Sequence, residues 1–141
     1  MQANLEPLDN PFLRGTPMFR CFVPGIAAPK GSKKVFNGRP VEASPWLKAW
    51  DAALDEHLLT EMTAVGPVRV ELVFYMRKPA SAKRIWPTVT PDLDKLVRAV
   101  FDGMTRNGLI IDDAQIVQLT AQKQYALDGM EPGCLVEGWT A

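Results

Sequence analysis

From Val68 to Met76 the chain alternates strictly, with Val68, Val70, Leu72, Phe74 and Met76 set against Arg69, Glu71, Val73 and Tyr75. A period of two over that length predicts a strand with one buried face. The period then changes. Leu93, Leu96, Val97, Val100, Phe101 and Met104 recur at three- and four-residue intervals, so a helix is expected from about Asp92 to Arg106, ended by Gly108. An earlier helix is predicted from Ser44-Pro45, read as N-cap and first helical position, through Leu47, Trp50, Leu54 and Leu58 to about Met62. Further strands are expected at Met18–Val23, Gln115–Tyr125 and Leu135–Trp139. Asn37-Gly38 is a tight-turn dipeptide, so Val35-Phe36 and Pro40-Val41 form the arms of a hairpin inside a basic loop that opens at Pro29-Lys30-Gly31. Residues 1–17, with Pro7, Pro11 and Pro17, read as an extended arm, and residues 18–141 as one domain. The order of elements describes an α+β fold, a mixed β-sheet with two main helices packed on one face.

Composition adds limits. At 141 residues and 47% hydrophobic, the chain can bury a core without disulfides or a structural metal. Cys21 and Cys134 stand in apolar strand contexts far apart in sequence, and are expected as two reduced, buried thiols in a cytoplasmic protein. No apolar run approaches the ~18 residues of a membrane span, and Glu6 and Asp9 argue against a signal sequence. The 16 basic and 16 acidic side chains cancel, which disfavours a simple basic nucleic-acid coat. They are nevertheless segregated. Arg77, Lys78, Lys83 and Arg84 form an acid-free basic run, and five of the nine aspartates fall between Asp92 and Asp113. A basic loop followed by an acidic cluster can bring a polyanion and a metal to one place.

Asp92-Leu93-Asp94 carries the most chemistry. Two residues apart inside a helix, the carboxylates would point about 200° away from each other. They converge only if the helix begins between them, with Asp92 extended and Asp94 in the first turn. Asp94, Arg98 and Asp102 then share a polar stripe, which taken alone is also what an ordinary surface ion-pair ladder looks like. Asp112 has a local reason to be acidic, as a turn starter. Asp113 has less of one. Asp92, Asp94 and Asp113 would offer the hard oxygen ligands that Mg²⁺ takes, and Arg98 a cation for phosphate.

Asp92-Leu93-Asp94-Lys95-Leu96, Phe101-Asp102 and Asp112-Asp113-Ala114-Gln115-Ile116-Val117 together resemble the signature of the RusA family of Holliday junction resolvases. The likeness runs from about residue 19 through most of the chain. It implies a homodimeric, Mg²⁺-dependent endonuclease, with Mn²⁺ as an alternative ion, that binds branched DNA and nicks opposed strands of a four-way junction. It implies a cytoplasmic, nucleoid-associated protein and is compatible with a phage or prophage setting. The family's three metal-site aspartates fall on Asp92, Asp94 and Asp113, and its catalytic lysine on Arg98. Arginine keeps the charge but does not release a proton, so a catalytically weak or inactive junction-binding module of the same fold stays open, as does a nuclease for branched DNA in general. Lys95 replaces the family's asparagine.

Beside this motif, Lys33, Lys34, Arg39, Arg77, Lys78, Lys83, Arg84 and Lys95 are candidate phosphate contacts, each displaced counterion adding salt-dependent affinity. Trp86 is read either as a platform for an exposed base or as a packing residue. Trp46 and Trp50 are expected in the core, and His57, the one histidine, in a partly exposed structural role. No Ser/His/Asp set, phosphate-cradling glycine loop or Cys/His zinc spacing is present.

Overall fold

The computed structural model describes residues 15–31, 33–42 and 44–141, with backbone alone for 33–36 and 40–42. Among the described residues, six strands and two α-helices follow in the order β1 (Phe19–Pro24), β2 (Lys33–Phe36), β3 (Arg39–Glu42), α1 (Leu47–His57), β4 (Val68–Met76), α2 (Leu93–Arg106), β5 (Ile116–Tyr125) and β6 (Gly133–Thr140). A mixed sheet in the order β1-β6-β4-β5 is the centre of the fold, and β2 and β3 form a separate hairpin. β4 pairs antiparallel with β6 and parallel with β5. The parallel pair requires a crossover, and α2 supplies it.

The alternation in β4 has the expected consequence. Val68, Val70, Leu72 and Phe74 are buried, and they join Phe19, Cys21 and Val23 of β1 and Cys134 and Val136 of β6 under both helices. Trp50 and Leu54 of α1 and Leu96, Val100 and Met104 of α2 close that single core, each large side chain contributing about 1.5–3 kcal/mol on burial. Both cysteines are free and buried, and burial pushes the Cys134 thiol well above its ordinary range. No described helix is long and apolar enough to cross a membrane.

The hairpin register pairs Phe36 with Arg39 across Asn37 and Gly38, whose φ values of 52° and 75° are those the tight turn demands. α1 differs from its sequence expectation at both ends. Its N-cap is Trp46, which makes no side-chain capping bond, and it stops at His57 because Leu58 turns extended and inserts into the core at 1% exposure. Met62, placed by periodicity in the helix, lies beyond it and is exposed. Trp46 is not a core residue: it is 63% exposed, while Trp50, one turn on, is buried. Most of the predicted arm lies outside the described residues, but Gly15 accepts a 3.2 Å bond from Trp139 Nε1.

Candidate active site

α2 has a strong apolar stripe, and turning it to the sheet leaves Asp94 and Arg98 exposed on the opposite side. The helix starts between the first two aspartates. Asp92 is the N-cap in extended conformation (φ −70°, ψ 140°), its carbonyl accepting from Leu96 N at 3.1 Å, and Asp94 is the acid of the first turn. The Asp92 carboxylate makes no capping bond. It faces Lys95 Nζ at 3.7 Å and is half exposed, so its oxygens are available to a ligand near the unpaired N–H groups of the helix start.

The segment entering Asp92 is held by a residue the sequence reading missed. Lys123, on the helix-facing side of β5, donates from Nζ to the carbonyl oxygens of Val89 at 2.7 Å and Pro91 at 2.8 Å. A lysine in an alternating strand reads as a solvated position, and nothing local signals two carbonyls some thirty residues away.

Asp113 is positioned differently. Asp112 caps the short 3₁₀ turn Asp113–Gln115, its Oδ1 accepting from Ala114 N at 2.8 Å. Gln115 answers from the other end, with Oε1 accepting from Ile111 N (2.7 Å) and Asp112 N (3.0 Å) and Nε2 donating to Ala64 O (2.8 Å) and Gly66 O (3.0 Å). This reciprocal capping box fixes the turn to the approach to β4. The Asp113 carboxyl is raised above the ordinary aspartate value, first by the hydrogen-bonded Asp112 side chain, then by burial and by the charges of Asp112 and Asp102. It therefore takes up a proton more readily than an isolated aspartate, and a cation beside it would relieve the repulsion. Asp102, Thr105, Arg106, Asp112 and Asp113 line a shallow cleft of about 320 Å³.

These acids form two stations. Asp92 and Asp94 stand at the start of α2, and Asp113 stands near Asp102, about 12 Å farther along the helix axis from Asp94. Among the described residues no three carboxylate, histidine or cysteine side chains lie within reach of one ion. The donor chemistry suits a hard divalent cation, since every candidate is a carboxylate and Asp113 is crowded by like charge.

The segment Pro29-Lys30-Gly31, read from sequence as the opening of a basic loop, packs along α2. Lys30 N donates to Lys95 O at 3.0 Å, and Lys30 Nζ pairs with Asp102 at 2.6 Å. Gly31 has φ +96°, and a Cβ there would collide with the Arg98 guanidinium that lies over it. Arg98 is thus seated against backbone, and a primary amine, Lys30, reaches the same polar stripe. Arg39, Arg77, Lys78, Lys83 and Arg84 are all exposed, Arg39 at the hairpin turn and the other four in the loop after β4. Lys78 and Arg84 lie over the Tyr125 ring, 5.9 and 5.8 Å from its centroid. Lys33 and Lys34 stand in β2, and their side chains lie outside the described residues. Trp86 is exposed, and His57 sits half-buried in the last turn of α1.

Among known proteins, residues 29–134 match the family model described as endodeoxyribonuclease RusA, a span containing every residue of both acidic stations. A search of curated proteins finds no match.

Proposed function

The chain belongs to the RusA family of endodeoxyribonucleases, Holliday junction resolvases that bind branched DNA, and on that premise we propose that it nicks four-way junctions as a Mg²⁺-dependent homodimer. The observation that carries this reading is the start of α2, where Asp92 caps the helix with its backbone alone, its half-exposed carboxylate facing Lys95 without a capping bond, and Asp94 follows in the first turn.

Asp92 and Asp94 at the first station and Asp113 at the second would each offer carboxylate oxygens to a hard divalent cation, Mg²⁺ or Mn²⁺ as a substitute, with no three of these side chains within reach of one ion. When bound, such an ion would supply Lewis acidity toward water and phosphate oxygens. The chain's own residues do the rest. Arg98, always protonated and backed by Gly31, offers its guanidinium to a non-bridging phosphate oxygen. Lys30 Nζ, paired with Asp102, adds a second cation beside the same stripe. Lys33, Lys34, Arg39, Arg77, Lys78, Lys83, Arg84 and Lys95 contact the backbone of the DNA arms. Two copies give two sites for two nicks. The dimer is supported by the outer edge of β5, which no described strand pairs and which carries exposed Val117 and Leu119 just after Asp113.

One observation favours a second reading, a junction-binding protein with little turnover: the replacement of the family's lysine by Arg98. Both are tested by incubating the protein with a labelled four-way junction or its linear duplex arms, in Mg²⁺ or EDTA. Paired Mg²⁺-dependent nicks in the junction alone are expected. Junction binding without nicks, converted to nicking by Lys95→Asn with Arg98→Lys, would establish the second reading. Absence of both binding and nicking would refute both.

A further inference from the structure

Beside the first acidic station lies a cleft of about 640 Å³, within the roughly 300–1,000 Å³ typical of pockets that enclose small organic ligands. Asp92 and Lys95 form part of its wall, so anything bound there sits next to the reacting phosphate of the proposed function, on which this inference rests. Trp46, Met76 and Tyr125 supply apolar and aromatic surface, and Arg77 and Arg84 add positive charge. Trp46 is 63% exposed at the start of α1, so its indole presents aromatic surface to the cleft.

We infer that this cleft takes one unstacked nucleobase of the DNA strand adjacent to the nicked phosphate, with Trp46 as its stacking surface and Arg77 and Arg84 meeting the phosphates that flank it. The chemistry selects a base over other occupants. An aromatic plane serves any base, the cationic rim serves the phosphates on either side, and unstacking costs least where a branch point has already disrupted base pairing. Lys78 and Arg84 already occupy the neighbourhood of the Tyr125 ring, which leaves the exposed indole of Trp46 as the free face.

The test is an abasic walk. The nick is first mapped with the wild-type protein. Junctions carrying one abasic residue at each position within about two nucleotides of the nick are then titrated with Asp113→Asn protein, which leaves the strands intact, and with the same protein carrying Trp46→Ala. At one position the abasic residue should weaken binding about tenfold, and Trp46→Ala should abolish that difference. A flat profile, or a position-dependent loss that Trp46→Ala leaves untouched, would overturn the base pocket while the nuclease reading stood. If no junction binds, both fall together.

Discussion

Asp92 and Asp112 each begin a helical turn, each is followed by a second acid within two residues, and each is an N-cap in extended conformation. They differ in what the carboxylate does. Asp112 accepts the Ala114 N–H and completes a box with Gln115, so it is a structural residue that aims Asp113. Asp92 makes no such bond, and its segment is fastened from outside by Lys123. The comparison teaches how to sort the two N-cap acids: the carboxylate that caps its turn holds it, and the one that makes no capping bond is available to chemistry.

The largest effect expected from this division is on turnover. Asp92→Asn and Asp113→Asn should each lower junction nicking by at least about 10²- to 10³-fold with junction binding retained, measured in a gel assay. Next, Lys123→Met releases the carbonyls of Val89 and Pro91. It should cost about 10- to 100-fold in nicking and raise the Mg²⁺ concentration needed, with the melting temperature nearly unchanged. Gln115→Ala removes four hydrogen bonds around the second station and should destabilise by about 1–3 kcal/mol in urea unfolding.

Much of this division was legible in the residues themselves. The alternation from Val68 to Met76 matches β4 at both ends, and the spacing of Asp92 and Asp94 already required the helix to begin between them. Asp112 was legible as a turn starter for the same local reason. What was not legible is contact between distant elements. The pairing of Lys30 with Asp102, the reach of Lys123 to Pro91 and the seat of Arg98 on Gly31 all depend on how elements dock, which local periodicity does not encode. Trp46 misled for a related reason. It lies next to the apolar stripe of α1 in sequence, but the helix begins one residue after it and leaves its ring exposed.

The smallest expected effect lies at the far end of α2. Arg106 and Asn107 donate to Asp55 at 2.7 and 2.8 Å and hold its carboxyl below the usual 3.8. A carboxylate lowered on folding stabilises above its unfolded pKa, and the contribution disappears as pH falls through the folded value. Asp55→Asn should therefore cost about 0.5 kcal/mol at pH 7 and progressively less as pH falls below 3.8, read from urea midpoints across that range.

The most direct test of the division is a side-by-side measurement of Asp92→Ala and Asp112→Ala, each scored for Mg²⁺-dependent junction nicking and for melting temperature. Asp92→Ala should abolish nicking and leave the melting temperature unchanged. Asp112→Ala should lose about 1 kcal/mol, a few degrees in melting temperature, and still nick. The reverse pattern, with nicking surviving in Asp92→Ala and lost in a fully stable Asp112→Ala, would contradict the assignment of the open carboxylate to chemistry.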